Sequence, residues 1–322
     1  MTRWIGRNDF ELLLVVLFWA LNISIVKGCL SEMEPLAFNI IRFGFAALML
    51  IVLTWRLEGS LGVARADLGR VILLGALGHT AYQLFFVMGL ARTTASSTAL
   101  IFGTTPVVVT ILSRIAGHEK PRLSDAAGAL LAFYGVYRLV GASAPATAPE
   151  VEVRRHLTGD LLLLGAVVCW SAYTVLARSL LARYSPLKLT AVTLSLGAAL
   201  LIPASVPDLL RQDWSRVSAG SWAGLVYSFL FALVISYIIW YRSVRQVGNV
   251  RTAIYANLVP VFGAFFGVML LGDTITPGLG VGALCIFGGI LLTRFGPGGR
   301  AGGRSASAMR PPPRAANREP LA

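Results

Sequence analysis

Acidic residues are scarce in this chain, 15 Asp and Glu among 322, and almost none falls inside its long apolar stretches. An enzyme working within a membrane needs a nucleophile beside a base, paired carboxylates or a set of metal ligands, and no such pattern occurs. His118 and Glu119 are not followed by the second histidine of an HExxH helix, and GxSxG is absent. No enzymatic activity is expected. Cysteine is equally sparse: Cys29, Cys169 and Cys285 have no metal-ligand spacing and are too few for a disulfide framework, so they read as helix-packing residues. No metal or other cofactor is expected. There is no substantial soluble segment of the kind a receptor or scaffold carries. Nor does a small-residue cleavage site follow the first apolar run, so that run reads as a retained helix rather than a signal peptide.

What the chain does have is apolar length. With 56% hydrophobic and only 13% charged residues and a mean hydropathy of +0.72, it lies outside the range of soluble domains and reads as an integral membrane protein in contact with a lipid bilayer. About 20 residues rising 1.5 Å each cross a hydrocarbon core of roughly 30 Å. Lipid offers no hydrogen-bond partner to open backbone, so such stretches must be helices. Ten are predicted, at residues 10–26, 35–55, 71–90, 95–116, 123–141, 161–182, 187–206, 220–241, 252–271 and 275–295. Residues 142–157, rich in small residues, prolines and charges, read as a linker. The tail, 296–322, is rich in Gly, Pro, Ala and Arg, has little to bury and is expected to be disordered and basic.

A net charge of +13 does not point to nucleic acid, because the basic residues sit at helix ends and in the tail. Topology accounts for them. With the N-terminus inside, 20 of the 28 Lys and Arg lie on the cytoplasmic side, seven lie outside, and Arg42 lies within a span. Both termini are predicted to be cytoplasmic.

The chain also repeats itself. At a shift of 154, Thr98, Ala99, Pro106, Val107, Gly128, Ala129, Leu130, Phe133 and Gly135 match Thr252, Ala253, Pro260, Val261, Gly282, Ala283, Leu284, Phe287 and Gly289. At a shift of 151, Asp9, Leu12, Leu13, Val16, Trp19, Pro35 and Leu36 match Asp160, Leu163, Leu164, Val167, Trp170, Pro186 and Leu187. A five-helix unit, 1–141, is therefore duplicated as 158–295. Five is odd, so the second unit enters the membrane from the opposite side. The expected fold is an all-α membrane protein of ten transmembrane helices in two inverted repeats. Such symmetry gives two arrangements of similar energy, one open to each side, which is the basis of alternating access.

These residues carry a resemblance. Trp19, Ala20, Leu21 and Asn22 with Lys27, Pro35 and Arg42, then Pro106, Glu119 and the Gly128 to Gly135 helix, return as Trp170, Arg178, Pro186, Pro260, Gly272 with Asp273, and Gly282 to Gly289. In that order the chain resembles the drug/metabolite transporter superfamily, in its group with two EamA domains. The resemblance covers about residues 9–295. It implies transport of small metabolites, often amino acids or related compounds, commonly as export across the bacterial inner membrane. It fixes no substrate. The chain departs from that pattern where Asp273 replaces the commoner Glu and where Thr193 stands opposite Arg42. A regulatory or lipid-handling protein on the same scaffold is the alternative.

Polar groups in a span are costly unless they face a wet path or the bundle interior, so they are the first candidates for substrate contact. They are Trp19 and Asn22 in the first span, His79, Tyr82 and Gln83 in the third, Thr104 and Thr105 in the fourth, Trp170 and Tyr173 in the sixth, and Tyr255 and Asn257 in the ninth. Pro106 and Pro260 are expected to kink their helices and to free the carbonyls of Phe102 and Ala256. Arg42 lies seven residues inside Pro35, about 10 Å along a helix. Two accounts fit it: a seat for a substrate carboxylate, or a side chain that snorkels to the interface. His79 is a candidate proton carrier or a hydrogen-bonded packing residue. The glycine stripes Gly128/Gly135 and Gly282/Gly289 suit close helix approach, inside the bundle by preference, with a homodimer as the open alternative.

Overall fold

The computed structural model describes residues 7–117, 123–139, 148–247, 255–256 and 258–295. Among these every regular element is helical. In chain order the helices are α1 (Arg7–Cys29), α2 (Pro35–Glu58), α3 (Leu68–Gly75), α4 (Tyr82–Leu90), α5 (Ala95–Phe102), α6 (Thr105–Ile115), α7 (Leu123–Leu139), α8 (Glu150–Leu181), α9 (Pro186–Arg211), α10 (Ala219–Tyr227), α11 (Ser236–Val247), α12 (Val259–Leu271) and α13 (Pro277–Phe295). Among the described residues seven helical stretches are long and apolar enough to span a bilayer, and Val259–Leu271 and Pro277–Gly289 are shorter apolar helices. The protein is a multi-pass membrane protein.

Local chemistry sets the ends. Pro35 and Pro186 open α2 and α9, where a missing amide costs nothing. The hydroxyls of Thr94, Ser185 and Ser218 accept from the amides of Ser97, Lys188 and Ser221 and cap α5, α9 and α10. Gly59 and Gly272, both at φ +70°, end α2 and α12. The predicted linker 142–157 is helical from Glu150 onward. Pro149 precedes that start, Glu150 and Glu152 lie in the first turn where carboxylates suit the helix dipole, and Glu150 pairs with Arg154 one turn on. The basic tail, 296–322, is outside the described residues.

Two helices widen in mid-membrane. Residues Ala76–Ala81 between α3 and α4, and Ser228–Ile235 between α10 and α11, are π-helical. Their starts lie 152 residues apart, at corresponding places in the two copies. In each, a hydroxyl reaches a carbonyl five residues back: Thr80 Oγ1 to Gly75 at 3.4 Å and Ser236 Oγ to Phe231 at 2.7 Å. Wide turns of this kind concentrate at functional sites.

The helices pair across the two halves of the chain: α7 with α13, α2 with α9, α4 with α8, α5 with α12, α1 with α12, α6 with α8, and α1 with α10 and α11. The glycine stripes meet each other here. A Cβ at Gly135 would stand 2.7 Å from the Gly282 carbonyl, and one at Gly289 would stand 2.5 Å from that of Gly128. Gly197 and Gly78 allow a second close approach. A Cβ at Gly197 would run into His79, and one at Gly78 into the Tyr173 ring.

Candidate functional site

Arg42 is 1% exposed, one turn after Asn39 on the inner face of α2. Its guanidinium turns into the protein rather than out to the interface. Nη1 donates to Ser228 Oγ at 2.9 Å; Nη2 donates to Asn39 Oδ1 at 2.7 Å and to Gln83 Oε1 at 2.8 Å. Phe38, Phe43 and Phe86 surround it, with ring centroids 5.4, 5.4 and 5.9 Å from Cζ. Ring faces attract a cation and exclude water. Snorkelling is thus replaced by enclosure between α2, α4 and the second π-helical segment.

The position equivalent to Arg42 in the second copy is Thr193. It reaches the other π-helical segment, with Oγ1 3.1 Å from His79 Nε2. His79 is 1% exposed, its ring 5.2 Å from that of Tyr173 and 6.3 Å from that of Phe43. His79 and Gln83, whose spacing of four puts them on one face of an ideal helix, find separate partners, Thr193 and Arg42. The π-helical turns between Ala76 and Ala81 alter the register that the ideal helix implies.

An aromatic wall links these two polar centres. From Phe86 it runs to Tyr82 (6.0 Å), Trp170 (5.1 Å), Tyr173 (5.3 Å) and His79 (5.2 Å), with Phe102 against both Tyr82 and Phe86. Trp170 and Tyr173 come from the second half and Tyr82 and Phe86 from the first. Trp19 stands at the corresponding place in α1. Its indole donates to the Ala232 carbonyl in the π-helical segment at 2.8 Å, and its ring lies 5.0 Å from Trp240 and 6.5 Å from Tyr237. Asn22 is buried, with Oδ1 unpartnered.

The fourth span is broken rather than bent. Gly103 and Thr104 form a turn between α5 and α6, and Pro106 is the second residue of α6. Thr104 Oγ1 donates back to the Ile101 carbonyl at 2.6 Å, while the buried Thr105 Oγ1 has no partner. Pro260 likewise opens α12. Tyr255 lies elsewhere, at the end of the bundle where α1 starts, and donates to Asp9 Oδ1 at 2.6 Å. Asn257 is outside the described residues.

Both ends of the bundle are tied shut by polar contacts between the halves. At the end holding the α1–α2 turn, Gln212 Oε1 accepts from the Glu34 amide, Asp208 accepts from the Leu36 amide at 2.9 Å, and Glu32 accepts from the Ser218 amide at 2.8 Å and the Ser221 hydroxyl at 2.7 Å. Within the first half Lys27 donates to the Leu90 carbonyl at 2.8 Å, and across the halves Asp160, fully buried, accepts from Thr93 and Ser97. Asp273 accepts from the Ser96 amide at the start of α5. At the opposite end, Glu58 accepts from Ser185 at 2.7 Å, and Asp67 accepts from Arg183 and Tyr184 at 2.7 and 2.6 Å. Arg242 pairs with Glu11. Two recesses, of about 280 and 590 Å³, open at the first end, and neither is lined by Arg42, Asn39 or Gln83.

Sequence reasoning missed Asn39, Ser228, Asp160 and the end ties. Asn39 carried a signal, an amide one turn from Arg42 in an otherwise apolar helix. Ser228 carried none, since its partner is 186 residues away.

The EamA-like transporter family matches this chain twice, over residues 8–141 and 157–295. The chain belongs to that family. It is therefore a transporter, and its named relatives are transporters rather than enzymes. A Bacillus subtilis protein named "Uncharacterized transporter YyaM" is 28% identical over 76% of this chain and 80% of its own. One from Streptantibioticus cattleyicolor, named "Probable terminal-alkyne amino-acid exporter", is 26% identical over 90% and 94%. One from Salmonella typhimurium, named "Probable amino-acid metabolite efflux pump", is 25% identical over 90% and 95%. A solved crystal structure matches this EamA-like transporter with a TM-score of 0.62 at 18% identity, covering 89% of this chain and 96% of that chain, a likeness of fold.

Proposed function

We propose that this protein is an alternating-access secondary transporter that exports a small metabolite, an amino acid or related compound, across the cell inner membrane. It has ten spans in two inverted five-helix repeats, 1–141 and 158–295, with both termini cytoplasmic. The observation that carries the reading is the pairing of helices. Counting the spans in order, the main contacts are five with ten, two with seven, four with nine, three with six, one with eight, three with seven, two with eight, one with nine and four with six. Moving every span by five places returns the same set. The two π-helical segments obey the same rule. A bundle built in this way has a second arrangement in which the two halves exchange roles.

In this reading the ties at the two ends are alternate gates. The residues between them, Trp19, Asn22, Arg42, His79, Tyr82, Gln83, Thr104, Thr105, Trp170 and Tyr173, border the solute's path. The relatives named for amino-acid export support the substrate class and direction. The partners are the solute and the bilayer, with no nucleic acid; the meeting of the glycine stripes inside the bundle supports their use in internal packing. The test is counterflow by purified protein in liposomes against a panel of amino acids and metabolites, with and without a pH gradient. Exchange of a labelled solute supports the reading. Absence of exchange for the whole panel, together with cellular efflux unchanged by Trp19 and Trp170 substitutions, overturns it.

A further inference from the structure

We infer that the solute carries a single carboxylate, and that this group docks on Arg42 and Asn39 with its apolar body along the aromatic wall. The inference rests on the transporter reading and adds the substrate's charge.

Arg42 is a buried cation whose partners are all neutral. Ser228, Asn39 and Gln83 supply one hydroxyl and two amide oxygens. Among the described residues no carboxylate lies within ion-pair distance of it. A charge removed from water is costly unless it is paired, and neutral acceptors with three phenyl rings compensate only part of that cost.

The unfilled hydrogen-bonding capacity of Arg42 and Asn39 themselves has one sign. Arg42 Nε is buried and unpartnered, and so is Asn39 Nδ2, on a side chain that is fully buried. The amide's orientation is fixed, because its oxygen accepts from Arg42 Nη2. Both open positions are therefore N–H donors, and the shared chemistry that satisfies them is an oxyanion. The charge count selects which one. A single guanidinium neutralises one carboxylate, whereas phosphate at about −1.5 to −2 leaves net negative charge in an apolar enclosure. The second copy offers no further cation at the equivalent place, since Thr193 stands there bonded to His79. The flank is aromatic: Phe86 faces the guanidinium and passes the surface on to Tyr82 and Trp170.

The experiment uses the full chain, purified in detergent and reconstituted in liposomes. Probes are pentanoate, 3-phenylpropionate and L-phenylalanine, each paired with its own amide, and inorganic phosphate. Binding is read as the rise in melting temperature with ligand, which follows from binding to the folded state alone. Exchange is read by counterflow. We expect at least one acid to bind and exchange, its amide and phosphate to bind at least ~10-fold more weakly, and 3-phenylpropionate to exceed pentanoate. Arg42→Gln loses the acid's effect by ~10-fold or more, Arg42→Lys keeps part of it, and Asn39→Ala weakens it with a folded, monodisperse protein. Carboxylate binding without exchange sinks the transporter reading and supports the docking site. Exchange of amides as readily as acids, or a melting shift that Arg42→Gln and Asn39→Ala both preserve, sinks the docking site and leaves transport standing. If no acid binds, the docking site is likewise overturned.

Discussion

Arg42 donates from Nη1 to the Ser228 hydroxyl at 2.9 Å, tying the second span of one half to the first residue of the π-helical segment in the other. The bond crosses 186 residues of chain. Ser228→Ala leaves that donor of a buried cation unpartnered, and a hydrogen bond to a charged group is worth about 1.5–3 kcal/mol. Its melting temperature should fall clearly below that of wild type. Ser195→Ala is the matched control, because Ser195 bonds only within its own helix, to the Ala191 carbonyl. Equal melting of the two variants contradicts a structural role for the Arg42–Ser228 bond.

The α7–α13 seam depends on glycine. Gly289→Ala places a methyl 2.5 Å from the Gly128 carbonyl, so backbone has to move. Overpacking of this kind costs about 1–3 kcal/mol. Gly44→Ala meets nothing within 4 Å and should be neutral or slightly stabilising. Thermal melting of the two proteins in detergent gives the comparison, and a Gly289→Ala protein as stable as Gly44→Ala contradicts the seam.

Trp19→Phe keeps an aromatic ring beside Trp240 and Tyr237 but loses the indole donor to the Ala232 carbonyl. That carbonyl lies in the π-helical segment, so the variant should change the counterflow rate by more than Trp170→Phe, which preserves stacking on Tyr82 and Tyr173. A net hydrogen bond of about 1 kcal/mol corresponds to roughly fivefold. Identical rates in the two variants remove the π-helical segment from the transport cycle.

Glu32 sits in the turn after α1, outside the spans. The Ser218 amide, and then the Ser221 hydroxyl, hold its carboxyl below the ordinary carboxylate range. A pKa lowered by folding means that the tie contributes above the unfolded value, about 4.3, and is lost as pH falls through the lower folded value. Between pH 7 and pH 3 the melting temperature of Glu32→Gln should therefore fall less steeply than that of wild type. Parallel profiles count against this tie.

The two ends should also be separable. In a chain whose three cysteines are replaced, Glu58→Cys with Ser185→Cys joins one end, where the two side chains touch, and Glu34→Cys with Gln212→Cys joins the other, where the Gln212 side chain meets the Glu34 backbone. Oxidation of either pair should stop exchange, and dithiothreitol should restore it. Continued exchange through a fully oxidised pair is incompatible with that end acting as a gate.

The order of residues by itself determined that this is a helical membrane protein, and its duplication marked a transporter. Those conclusions rest on local physics: apolar runs of bilayer length have to be helical, and a repeated pattern such as Trp19 with Trp170 or Pro106 with Pro260 is visible without knowing what touches what. The glycine spacing of Gly135 and Gly289 likewise announced close packing. Tertiary structure decided the rest, because it depends on contacts between residues far apart in the chain. The depth of Arg42 left a seat for a substrate carboxylate and a snorkelling side chain equally open; Ser228, Gln83 and three phenyl rings around it exclude snorkelling. Ideal helical spacing puts His79 and Gln83 on one face; across the π-helical turns they have separate partners. A wide turn carries no periodic signature, and a hydrogen bond between distant spans leaves no trace in either span alone.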